Sequence, residues 1–180
     1  MSTKTWLKLI VSILAIAIIF EKEPATSQTE YLHQKTYIAK NTQKITQAKI
    51  RQILQGFINS SKSQDLETYM KPIAKNCKLE SSLKTEQGES TLLKLNREQF
   101  QVIMQQSFSN IDSYKGSMNN LKVTIGADGK SATASYNLVE EIVTIGGYVI
   151  RTTSSESTKF EAIDGQILMT YRKAVGRFNY

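Results

Sequence analysis

Three glycine-bearing pairs stand at even spacing in the second half of this chain: Asp128-Gly129, Gly146-Gly147 and Asp164-Gly165. Asp and Gly accept the positive φ that a tight hairpin imposes, so each pair marks a reversal between antiparallel strands. The segments between them, 130–145 and 148–163, far exceed the usual strand of about 5–6 residues. With outer strands over 117–125 and 166–175 they predict a four-stranded meander. Strands this long twist and bend, usually through bulges. A bent sheet needs something apolar in its concavity, and that requirement leaves few folds open.

The filling comes from upstream. Ile50, Ile53, Leu54, Phe57 and Ile58 fall on one face of a helix, which Asn59-Ser60-Ser61 ends. Ser63 is expected to cap a second, short helix carrying Leu66, Tyr69 and Met70, and Pro72 stops it. Segments 77–83 and 90–95 read as two short strands around Gly88. Asn96 then starts the clearest helix. Gln99 completes a capping box, and Leu95 with Phe100 forms a hydrophobic staple. Phe100, Ile103, Met104, Phe108 and Ile111 make its buried stripe.

This order of elements resembles the nuclear-transport-factor-2-like superfamily, the cystatin-like cone that also includes SnoaL-like proteins. The likeness covers roughly 43–178. It is carried by the element order, the helix FQVIMQQSF (100–108) and the terminal hairpin FEAIDGQILMTYRKAV (160–175). It implies an α+β domain whose helices pack in the concavity of a long, strongly bent antiparallel sheet. Superfamily members include ketosteroid isomerases, polyketide cyclases, dehydratases and many non-catalytic domains of secretion and envelope proteins. No catalytic motif is part of the likeness, so it specifies a fold and not a reaction.

The front of the chain carries an address. Lys4 and Lys8 precede the apolar run LIVSILAIAIIF (9–20), and Ala25-Thr26-Ser27 supplies small residues before Gln28. That grammar predicts a signal peptide over 1–27 and an extracytoplasmic domain, periplasmic or secreted. The rival is a membrane anchor, for which the run is short of the roughly 20 apolar residues a span needs. Residues 28–42 are polar and aperiodic, read as a tether, and hold the single histidine, His33. The folded domain is then 43–180.

The chain carries a net charge of +7, but its basic residues are scattered, which disfavours a nucleic-acid partner. Cys77 is the single cysteine, so no internal disulfide forms, and one Cys with one tether His makes no zinc site. No metal or other cofactor is expected.

Strand parity points to a pocket. Two-residue loops at Gly146-Gly147 and Asp164-Gly165 would set Glu156 opposite Asn137, Thr152 opposite Glu141 and Phe160 opposite Met169. One face then collects Val139, Val143, Ile145, Tyr148, Ile150, Phe160, Ala162, Ile167, Met169 and Tyr171 around a polar middle. With the helices above it, the expected ligand site is Tyr69, Phe100, Met104, Asn137, Glu141, Tyr148, Glu156, Met169 and Tyr171. The opposite face carries Gln166, Thr170, Arg172, Lys159 and Glu161, together with an apolar patch of Tyr136, Leu138, Ile142 and Val149. That patch is expected to pair two copies sheet on sheet, a packing the superfamily often uses. The parity of 117–125 stays open, since turn lengths of four and five residues send Leu121, Val123 and Ile125 to opposite faces.

Catalysis in such a cone needs a general acid or base. His33 is in the tether, and Asp65, Asp112, Asp128 and Asp164 stand at helix ends and turns. Only Glu141 and Glu156 remain. The sequence therefore favours an exported non-catalytic module that binds a small apolar ligand or an envelope protein. The alternatives are an isomerase- or cyclase-like enzyme with a glutamate base, and a membrane-anchored assembly component.

Overall fold

The computed structural model describes residues 44–84 and 90–179. The expected leader, the tether with His33, and Gly88 lie outside these residues. Nine elements follow one another in chain order: α1 (Gln47–Ser63), α2 (Leu66–Met70), β1 (Ile73–Lys84), β2 (Ser90–Leu95), α3 (Arg97–Asn110), β3 (Ile111–Ile125), β4 (Ser131–Thr144), β5 (Val149–Ile163) and β6 (Gln166–Asn179).

Thr46 caps α1, its hydroxyl accepting from the Lys49 amide at 3.3 Å. The apolar stripe turns Ile50 and Leu54 inward. Ser63 does not cap the second helix. It is the last residue of α1, its hydroxyl donating to the Asn59 carbonyl, and Gln64 closes the helix at a φ of 56°. Asp65 is the cap of α2, accepting from the Thr68 amide at 3.0 Å. The Asn96–Gln99 capping box of α3 is present in both directions, at 2.8 and 3.0 Å. α3 ends at Asn110, and β3 begins at once, earlier than Gly116 suggests.

All six strands form one mixed sheet in the order β2-β1-β6-β5-β4-β3. The meander of four strands is there, and β1 adds to it in parallel with β6. The helices lie over one face, α1 against β3 and α3 against β1. Phe160 and Ile50 are wholly buried between these layers, with Met169 and Cys77 almost so. Each large side chain so buried contributes on the order of 1.5–3 kcal/mol.

The loops decide which face each residue meets. Asp164 and Gly165 both have positive φ, 48° and 79°, so this is the expected two-residue loop, with Ile163 opposite Gln166. The loop at Gly146-Gly147 holds three residues. The Gly147 amide donates to the Thr144 carbonyl at 2.8 Å, Gly147 turns left-handed at 79°, and Thr144 pairs with Tyr148. That is a turn followed by a glycine bulge, the usual build of a three-residue hairpin loop. Val143 consequently faces Val149, and Glu156 faces Tyr136. The whole of β4 is turned over from the expected parity. Tyr136 and Leu138 face inward while Asn137, Val139 and Glu141 face out. The adjoining register shift in β3, where Asn120 is left-handed at 56°, keeps Met118, Val123 and Ile125 on the helix side, opposite Leu138, Ala134 and Ala132.

A second irregularity inverts part of β6. Phe160 faces Met169, but Lys159 faces Tyr171, leaving Thr170 as the extra residue. Tyr171 is thereby sent outward and Arg172 inward, the reverse of the expectation for both.

Candidate functional site

Beneath α1 and α2 the inner face holds a cavity of about 40 Å³. Leu54, Phe57, Ile58 and Ser61 of α1 and Tyr69 of α2 form its roof. Tyr114 and Met118 of β3, Tyr136, Leu138 and Glu140 of β4, and Met169 and Arg172 of β6 form its floor and sides. The amphipathic stripe of α1 places the roof. The two loop and bulge inversions place Tyr136, Leu138, Glu140 and Arg172.

At the floor, the Arg172 guanidinium grips Glu156 with two bonds, Nε to Oε2 at 2.8 Å and Nη2 to Oε1 at 3.0 Å. Ser154 donates a third, at 2.8 Å. The Glu156 side chain is 1% exposed and that of Arg172 21%. Burial opposes the guanidinium's charge most strongly, but the Glu156 carboxylate's charge and hydrogen bonds, together with Tyr69 and Tyr136, outweigh it in sum and hold Arg172 cationic, well above its ordinary value. Glu140 is held differently. It accepts from the Tyr114 hydroxyl at 2.8 Å and from Thr152 at 3.0 Å, and no ion pair reaches it among the described residues.

Three phenols share this space. Burial raises the pKa of Tyr69, Tyr114 and Tyr136. Beside Tyr114 the Glu140 charge adds to the rise, whereas Arg172 pulls back on Tyr69 and Tyr136. All three are neutral hydrogen-bond donors at physiological pH. Rings of Phe57, Phe100 and Phe108 pack on Tyr69 at centroid distances of 4.9, 6.1 and 5.8 Å.

Of the residues expected to bind a ligand, Tyr69 and Met169 line the cavity, and Glu156 lies in its floor pair. Phe100 and Met104 pack in the core behind it without lining it. Asn137, Glu141, Tyr148 and Tyr171 are elsewhere. Asn137 accepts from Ser155 on the outer face. Glu141 is ion-paired there with Lys115 and Arg151 at 3.3 and 2.9 Å, contacts that lower its pKa. Tyr148 is exposed in the β4–β5 loop. Tyr171 donates to Glu80, with Lys159 over its ring. The expected dimer patch fails in its main members. Tyr136 and Leu138 line the cavity, and Ile142 lies on the inner side opposite Ile150 and Tyr114, half-buried. Val149 does stand exposed on the outer face. Sequence parity missed Arg172, Glu140 and Tyr114. Only the second glycine of the β4–β5 loop, free to turn left-handed, hinted at the longer loop.

No family model matches the sequence, and no curated protein does either. Solved structures do match. A nuclear-transport-factor-2-like superfamily protein from Salmonella enterica serovar Typhimurium aligns with a TM-score of 0.56 at 12% identity, over 72% of this chain and 89% of its own. A cystatin-like protein of unknown function from Nostoc punctiforme gives 0.52 at 15%, over 74% and 95%. The chain has the nuclear-transport-factor-2-like fold. A protein from Novosphingobium aromaticivorans assigned as a scytalone dehydratase shares this cone, at a TM-score of 0.59 and 8% identity over 73% of this chain and 82% of that one. Nuclear-transport-factor-2-like cones thus serve both enzymes and proteins with no stated reaction, and likeness at such identities speaks to fold alone. Among the described residues no group of three or more His, Cys, Asp or Glu could hold a metal in this cone.

Proposed function

We propose that this domain is a non-catalytic binding module that works outside the cytoplasm. Its cavity takes a ligand of few heavy atoms, and its outer sheet face meets a second copy. The observation that supports this reading is the size of the cavity. At about 40 Å³ it falls far below the roughly 300–1,000 Å³ of pockets that enclose drug-sized molecules. The carboxylates point the same way. Glu156 is occupied by three donors, and Glu141 stands on the other face, so neither is placed to abstract a proton from a substrate in the cone; Glu140, which does line the cavity, has room beside it for only a few heavy atoms.

Methyl NMR tests the interior reading with fragments graded by size. Compounds of about three heavy atoms are expected to shift signals of Leu54, Met118, Leu138 and Met169 and to be recovered unchanged. Conversion of any fragment would make the cone an enzyme's, and entry of fused-ring molecules would overturn the size limit. The extracytoplasmic address rests on Lys4, Lys8, the apolar run and Ala25-Thr26-Ser27. Residues 1–30 fused to a reporter active only outside the cytoplasm should give signal, and a stable but silent fusion would overturn it. Intact mass of the exported protein then separates a cleaved leader from an anchor.

A further inference from the structure

We infer that the cavity's ligand is a small organic cation, a primary or methylated ammonium, with Glu140 as its counter-charge and Tyr69, Tyr114 and Tyr136 as its aromatic wall. The inference rests on the binding-module reading and names the chemical class of its ligand.

Three charged groups surround the cavity, one positive and two negative. Arg172 and Glu156 cancel each other through their paired bonds at 2.8 and 3.0 Å. Glu140 is left as the uncompensated charge. A carboxylate offers about four lone-pair sites, and Tyr114 and Thr152 occupy two of them. A neutral apolar ligand seated there would displace the water that reaches the other two and put no donor in its place, which is costly. An anion would meet Glu140 directly. An ammonium supplies both the missing donors and the missing charge, and phenol rings attract it through their quadrupoles. The volume agrees in scale. A single water needs about 10–15 Å³ of such space, so about 40 Å³ suits roughly three heavy atoms. Leu54, Phe57 and Met118 give those atoms an apolar wall.

The experiment is an NMR titration of the folded domain with ethylammonium, ethanol and formate, each of three heavy atoms and differing in charge; acetate, one atom larger, is a second anion. Ethylammonium is expected to shift the ring signals of Tyr69, Tyr114 and Tyr136 saturably, with affinity on the order of tenfold above that of ethanol. Formate and acetate should leave them unmoved. Glu140→Gln, which keeps the shape and removes the charge, should erase the difference, while Tyr114→Phe should preserve it. Equal or tighter binding of ethanol, formate or acetate would overturn the cationic class and leave the binding reading standing. Retained preference in Glu140→Gln would overturn the assignment of the counter-charge. Silence from all the probes would overturn both readings. The charge series on the wild-type protein decides the matter even if a variant does not fold.

Discussion

Glu156 and Arg172 show what burial does to a single charged pair. Glu156→Gln would leave the guanidinium without its counter-charge in a largely covered site. A loss of about 3 kcal/mol in stability by urea denaturation is expected. Replacing both residues by leucine should cost less than the sum of the single changes, because no charge is then stranded. The phenols add a pH dependence. Tyr69, Tyr114 and Tyr136 all have pKa values raised in the folded state, so their stabilising effect is complete below the unfolded value near 10. Above it the unfolded chain gives up protons that the folded chain keeps, and stability falls. Denaturation midpoints should therefore be flat in this respect up to about pH 10 and then drop, with tyrosinate absorbance appearing together with unfolding. Tyrosinate absorbance from these three in a still-folded protein at pH 10 would contradict the burial described.

At the scale of elements, one extra loop residue between β4 and β5 exchanged the two faces of a fourteen-residue strand. Gly147 makes that loop, at a φ of 79° and with no atom within 4 Å of where a Cβ would stand. The cost of Gly147→Ala is therefore backbone strain and not a clash, about 1 kcal/mol. A thermal shift downward with an unchanged fold is the expected result. Deleting Ile145, which is exposed in the same loop, should cost little beyond its amide's bond to the Asn110 carbonyl, because Gly146-Gly147 can then close Thr144 onto Tyr148 as a two-residue loop with every β4–β5 pair kept. A retained cooperative transition with Leu138 and Tyr136 still inside is the expected result, and its loss would contradict this register.

At the scale of the whole molecule, the outer sheet face is where a second copy is proposed to bind. Val139, Val149 and Val175 are exposed there, at 42%, 47% and 40%. If a second copy covers them, Val139→Glu should lower self-association in sedimentation velocity while the monomer stays folded. Leu138→Glu, one residue away, should instead abolish folding, since Leu138 is 8% exposed and lines the cavity, and a lone carboxylate there costs several kcal/mol. Dimers of the wild type at high micromolar concentration are the outcome expected, and a strictly monomeric protein would remove the partner.

Local chemistry was readable in the chain. The capping box of α3, the stripe of α1, the three turn signals and the type of the Asp164-Gly165 loop depend on neighbours a few residues apart, and each stands where the spacing put it. Element order followed, and with it the α+β cone. The site was not readable in the same way. Side chains alternate across a sheet with a period of two, so one residue gained in a loop or a bulge reverses everything beyond it. The three-residue loop at Gly147 and the bulge at Thr170 did this, moving Glu141 and Tyr171 out and Tyr136, Leu138 and Arg172 in. What selects those two irregularities is the packing they permit: apolar Leu138 and Met118 under α1, and a half-buried Arg172 beside a buried Glu156. Such partners lie far apart in sequence, and only the folded sheet brings them together.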